Sequence, residues 1–310
     1  MAPSAKRKFP AHPLKSIRLQ NILSFGPEEM ELELKPLNVL IGTNASGKSN
    51  LIRVLSLLRE LPVDMHPPLR HGPGIAEWMW KGDGRQDRAV VEIHVDFPKV
   101  ATPLRYILCL AQKGASAEVA EEKLWRADQK AGEVVYFHVR RGRARLRVRR
   151  GTTPPSHGVE ATQSILEQRK DPGRYPELTW LGKVLSEFRL YCDWSIGPEA
   201  PVRKPQRTDL PTDFLLGGYE NLTLVLNGLE HHGAKPRLLE RLRAVYQDVE
   251  DLTVKIEGGS AQLFVRQQNL STPLSTAAIS DGTLRYLCLI AILCHPGPPP
   301  LVCIEEPELG

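Results

Sequence analysis

The chain has 310 residues, of which 41% are apolar and 25% charged, with a formal net charge of +5. Those figures describe a folded globular protein with a sizeable core, and they exclude a disordered chain. The mild positive excess permits an anionic partner without demanding one.

The N-terminal stretch "MAPSAKRKFPAHPLK" is basic but lacks the apolar segment of a secretory signal. No window approaches the length of a membrane span, and the longest apolar run, 284–294, reads as a buried helix. Five scattered cysteines form no CxxC pair or zinc spacing, so they read as buried, reduced thiols of a cytoplasmic protein.

Taken in order, "SIRLQNI" and "MELEL" alternate apolar and polar residues and predict two antiparallel strands around a turn at Phe25-Gly26-Pro27. "LNVLI" is a continuous apolar run, the pattern of a strand buried on both faces. The helical period of Leu51, Val54, Leu55 and Leu58 follows, ended by Pro62. After a turn-rich stretch, "AVVEIHVDF", "RYILCLA", "EKLWRA", "EVVYFHVRR" and "RARLRVRR" predict a meander of strands. Residues 162–188 read as helical with a break at Asp171-Pro172-Gly173, and "PVRKPQRTDLPTD" reads as a connection. Two amphipathic helices, a hairpin through Gly258-Gly259, a helix from Asp281 to Cys294 and a last strand "PLVCIEE" complete the chain. There are no repeats or sustained heptads, so the middle of the chain is expected to be a globular α+β insertion.

Three motifs carry chemistry. "GTNASGKS", residues 42–49, fits G-x-x-x-x-G-K-[ST] between a predicted strand and a helix. Such a loop turns its backbone N–H groups toward phosphate oxygens, aided by the positive end of the helix. The binding set is therefore Gly42, Thr43, Asn44, Ala45, Ser46, Gly47, Lys48, Ser49 and Asn50, with Lys48 on the β/γ-phosphates and Ser49 on Mg²⁺. "LVCIEEPE" delivers acids at the end of an apolar strand: Glu305 to hold the metal and Glu306 to polarise an attacking water. Ser280, Asp281 and Gly282 open an apolar helix, as a cap and as a second phosphate clamp.

With "LQNILSFG", "PLNVLIGTNASGKSNLI", "GGYENLTLVLNGL", "ISDGTLRYLCLIAIL" and "IEEPELG", the chain resembles ABC-type ATPase heads of the RecF, SMC and OLD kind, and most closely a group of bacterial predicted AAA-family ATPases. The resemblance implies an α/β P-loop fold with a mixed sheet and an inserted α+β lobe. Head residues would fall in 1–61 and 266–310, and 62–265 would hold further head strands and the lobe. It also implies an ATPase using ATP and Mg²⁺, with Glu306, Glu305 and Lys48 as the catalytic residues. Ser280 and Gly282 would touch the γ-phosphate held by a second copy, making an ATP-sandwiched homodimer. DNA and a nuclease would be partners, in DNA repair or in defence against foreign DNA. A nucleotide-gated switch with little turnover is the alternative.

The sequence departs from the pattern in three ways. Glu305 stands where an aspartate is usual, which predicts slow turnover, because about an ångström of displacement is costly in catalysis. Gln86 is the nearest match to the glutamine that senses the metal, without supporting context. The chain ends at Gly310, before the leucine-histidine-proline segment of such heads, so a longer protein is expected. Separately, Arg143, Arg145, Arg147 and Arg149 alternate with apolar residues, which suits either a solvated strand or a phosphate-tracking row.

Overall fold

The computed structural model describes residues 9–70, 74–82, 87–98, 100–128, 132–148, 151–152 and 157–308. They divide into two compact units. The larger holds Phe9–Arg189 with Pro299–Val302, and the smaller Leu190–Pro298 with 303–308. Gln86 and Arg149 lie outside the described residues.

In the larger unit the strands are β1 (Leu14–Gln20), β2 (Met30–Glu33), β3 (Ala89–Val95), β4 (Leu104–Lys113), β5 (Ser116–Asp128), β6 (Gly132–Arg140) and β7 (Arg143–Val148), followed by the two-residue β8 (Gly151–Thr152) and β9 (His157–Gly158). They form a sheet in the order β2-β1-β3-β4-β5-β6-β7-β8, with β9 also on β7. The pairings of β1 through β7 are antiparallel, as the alternating pattern predicts. One sheet face is apolar: Ile17, Leu19, Val91, Ile93, Tyr106, Leu108, Leu124, Phe137 and Leu146 are all buried. The helices α1 (Lys48–Glu60), α2 (His66–Arg70), α3 (Ile165–Gln168) and α4 (Pro176–Ser186) belong to this unit. α1 packs on α2 and α4, and α4 on β6. Gly182 of α4 faces Pro62, which a Cβ there would meet in ordinary contact at 3.5 Å.

Glu122 on β5 is fully buried among these apolar residues. Its carboxylate accepts the hydroxyls of Tyr106 (2.9 Å) and Ser164 (2.8 Å) and the Ile165 N–H (2.9 Å), which ties α3 to the sheet. Burial pushes its pKa up to about 7, against the pull of those three donors. A carboxyl raised in the folded state binds protons that the unfolded chain has released, so its contribution is full below the unfolded value and is lost as pH rises through 7. Stability is expected to fall on the order of 3 kcal/mol between pH 4.5 and 7.5 through this group. Glu122→Gln should flatten that slope in urea titrations, because both hydroxyls can reverse to accept from the amide. An unchanged slope would show that the carboxyl does not titrate in this window.

A short pair, β10 (Arg189–Tyr191) with β15 (Val302–Ile304), runs parallel, since the bonds Arg189 N–H to Leu301 O and Glu305 N–H to Tyr191 O advance in the same sense. The smaller unit holds β11 (Gln206–Arg207), α5 (Leu222–His231), α6 (Lys235–Val245), β12 (Val249–Glu257), β13 (Ser260–Gln267), β14 (Leu274–Ser275) and α7 (Asp281–Leu293). Its sheet runs β11-β13-β12, with β14 also on β13. The predicted hairpin is β12–β13, whose turn needs positive φ at Gly258 and Gly259 and has it (58° and 79°). α7 is buried along Leu284, Leu287, Cys288, Ile290 and Ala291, and it packs on α5 and α6.

Four expectations need correction. Residues 37–41 form no strand. Leu37 is 81% and Ile41 89% exposed, because a strand buried on both faces needs paired neighbours, and none of the described residues supplies a ladder there. The last strand is only three residues long and half-buried. The turn-rich stretch after Pro62 contains α2 and a 3₁₀ turn, Gly74–Glu77. Cys192 is exposed, unlike the buried Cys109, Cys288 and Cys294. Burial nevertheless pushes Cys109 up to about 11 and Cys303 to about 12, so these two thiols stay protonated at neutral pH.

Candidate functional site

The 42–49 loop lies in the larger unit and is built by backbone conformation. Ala45 (φ 66°) and Gly47 (φ 95°) are left-handed, and Ser46 N–H closes a turn on Thr43 O at 3.2 Å. A Cβ on Gly47 would sit 3.0 Å from Ser24 Oγ, so the glycine serves both angle and space. At Gly42 the reason is space: a Cβ there would meet Ser46 Oγ at 2.7 Å and lie 3.8 Å from Lys48 Nζ. The Lys48 ammonium donates into the loop, to Gly42 O (2.6 Å), Thr43 O (3.0 Å) and Ser46 Oγ (3.3 Å). Asn50 Nδ2 anchors the first turn of α1 on Ser24 Oγ at 2.9 Å.

α1 begins at Gly47 with no side-chain cap and no acidic residue in its first turn. Its leading N–H groups and its dipole therefore favour an anion. The residues present fit a phosphate chain: a narrow loop that a Cβ would fill, a cation held by exchangeable carbonyls, and uncapped amides. Ser49 follows Lys48 at the helix start, where its hydroxyl would hold Mg²⁺. Among the described residues, no three His, Cys, Asp or Glu side chains gather into a metal site of their own. The donor set suits a metal shared with a nucleotide.

The other predicted residues lie in the smaller unit. Ser280 caps α7, its Oγ accepting the Thr283 N–H at 3.2 Å beside the Thr283 hydroxyl at 2.8 Å. Asp281 is ion-paired with Arg203, and Gly282 continues the first turn. Arg203 was not legible as a site residue, since its segment reads only as a polar connection. Buried, it donates to Ile196 O (3.0 Å), Thr276 O (3.0 Å) and Ile279 O (2.6 Å) as well as to Asp281, and Thr276 Oγ1 donates back to Arg203 O at 2.9 Å. One guanidinium thus holds the whole approach to α7, which sets where Ser280 points.

Glu305 ends the last strand half-buried, with its N–H on Tyr191 O (2.9 Å) and its carbonyl accepting from Trp194 Nε1 (2.8 Å). Glu306 is exposed and left-handed at φ 48°. That conformation costs an L-residue about 1–2 kcal/mol. The "GGYEN" stretch also has a structural use. Tyr219, fully buried at φ 61°, stacks on Trp194, and Asn221 fastens the preceding loop through Pro211 O, Phe214 O and the Leu216 N–H.

The basic row is where the alternation predicts it. Arg143, Arg145 and Arg147 are exposed on β7, while Ala144 and Leu146 are buried. No ion pair among the described residues engages the three arginines.

A glycine-built loop opens one helix, a serine caps a second and acids end a strand, and the architecture is similar to that of P-loop ATPase heads. The fold is similar to that of a solved Smc head. The Smc head bound to the C-winged helix domain of ScpA aligns at TM-score 0.53 and 12% identity, over 92% of this chain and 78% of that one. A Smc head domain with an extended coiled coil, bound to the C-terminal domain of ScpA and derived from Pyrococcus furiosus, aligns at TM-score 0.48 and 10% identity, over 91% and 78%. The chain belongs to the family described as "AAA domain, putative AbiEii toxin, Type IV TA system", whose profile matches residues 37–147 and 186–310. No curated protein matches it.

Proposed function

We propose that the protein binds MgATP, hydrolyses it slowly, and uses bound ATP to join two copies of itself. The observation that carries this reading is the loop at 42–49, where, among the described residues, Lys48 is held by groups that phosphate oxygens can replace. In this reading the loop amides grip the triphosphate, and Lys48 exchanges carbonyl oxygens for phosphate oxygens. On the resemblance, Ser49 would hold Mg²⁺, and Glu305 is the acid proposed for it. The metal would neutralise charge developing on the phosphate oxygens. Glu306 holds and orients the water and takes its proton. Ser280 and Gly282 face the nucleotide of the second copy.

Light scattering with and without MgATP tests the pairing. Wild type with the non-turnover variant Glu306→Gln should double in mass with ATP, and Ser280→Arg should stay monomeric while still binding nucleotide. Mass that ignores ATP in all of them would remove the pairing. Pairing without measurable phosphate release would leave a nucleotide-gated switch, the reading that Glu305 in place of aspartate favours.

A role on DNA, in repair or in defence, is supported by the resemblance and by the β7 arginines, which stand about 7 Å apart along the strand. Replacing Arg143, Arg145 and Arg147 with alanine should lower the salt dependence of duplex binding by up to about three counterions. Identical slopes would remove DNA from that face.

A further inference from the structure

One side chain of the smaller unit touches both the helix that begins at Ser280 and the strand end that carries the acids. Trp194 Nε1 donates to the Glu305 carbonyl at 2.8 Å, although the two residues are 111 positions apart. The Arg285 guanidinium, just past the first turn of α7, lies over the same indole at 4.7 Å. Tyr219 stacks parallel to it, with centroids 5.2 Å apart and planes 7° apart. Tyr219 is itself fully buried and stacked in turn on Tyr191. The Tyr191 carbonyl accepts the Glu305 N–H.

Both backbone polar groups of Glu305 are therefore held by one aromatic cluster. Its carbonyl shares a peptide plane with the Glu306 N–H. The indole hydrogen bond thus fixes the plane from which Glu306 departs into its left-handed conformation. A cation on α7 presses the same indole through its ring face, an interaction that depends on where the helix sits.

We propose that Trp194 is a positioning residue for Glu306, coupling the start of helix α7 to the acid turn through Arg285. A shift of the serine-capped helix end moves the guanidinium, the indole and then the Glu305–Glu306 peptide. The catalytic consequence rests on the ATPase reading above; the mechanical coupling does not.

Hydrogen exchange of the Glu305 amide, which is bonded to the Tyr191 carbonyl, separates the two. Trp194→Phe keeps a ring but removes the donor, and it should speed that exchange by about tenfold. Arg285→Met, which leaves the indole and its donor in place, should speed the same amide by about threefold. The double variant should exchange no faster than about Trp194→Phe alone, because both changes break one chain of contacts. Wild-type exchange in Arg285→Met, or rates that multiply as independent effects, would overturn the coupling. Arg285 is half-exposed on a helix, so this variant decides the matter even where Trp194→Phe folds poorly. In steady-state assays Trp194→Phe should lower kcat by about tenfold with KM within about twofold. A rise in KM alone would assign the residue to nucleotide binding instead. A protein without turnover would defeat the ATPase reading and leave the exchange result to judge the coupling by itself.

Discussion

Glu306→Gln is expected to lower ATP turnover by about 10²–10³-fold while leaving MgATP affinity within about threefold. The amide keeps the shape of the carboxylate but can neither take a proton nor present a negative charge to a water. Folding should be untouched. Glu306 is exposed, its conformation is a property of the backbone, and its neighbour's carbonyl is held by Trp194 whichever side chain follows. Glu308→Gln, two residues on and also exposed, is the matched control and should turn over like wild type. Single-turnover phosphate release reads the chemical step apart from product release. Equal rates in the two variants would take the catalytic acid away from Glu306.

Arg203→Met should cost about 3 kcal/mol of stability, among the larger effects of a single substitution in this chain. Methionine fills much of the volume but donates nothing. The carbonyls of Ile196, Thr276 and Ile279 would lose their charged donor inside the fold, and Asp281 would lose its partner. Asp281 itself is exposed, so most of the cost comes from the buried carbonyls and not from the ion pair. Arg203→Lys should recover only part of it, since a point charge cannot reach several diverging acceptors as a guanidinium fork does. Urea unfolding measures the loss. A change below about 0.5 kcal/mol would show that the segment before α7 holds its shape without Arg203.

Local features were legible in the sequence and long-range ones were not. The helical period of Leu51 to Leu58 and the Gly258-Gly259 turn are properties of neighbouring residues, and both elements formed where they were read. The phosphate loop is also local, since its left-handed angles and the Lys48 bonds all lie within seven residues of one another. The apolar run at 37–41 shows the limit of such reading. Hydrophobicity marks a segment able to be buried on both faces, but the ladder that would bury it belongs to other residues. Arg203 shows the converse, a buried anchor in a stretch whose prolines and charges announce only a connection. Two of its acceptors are carbonyls 73 and 76 positions further along, which no pattern of side chains encodes. The Trp194 hydrogen bond escapes sequence reading for the same reason.

Calorimetric titration of MgATP into the protein, with Lys48→Ala alongside, tests the central claim most directly. Wild type should show one saturable site per chain. Removing the ammonium should weaken it by about thirtyfold, as the loss of a charge-assisted contact worth about 2 kcal/mol requires. A wild type that takes up no MgATP, or a Lys48→Ala protein that binds it equally well, would contradict the account of residues 42–49 as a nucleotide site.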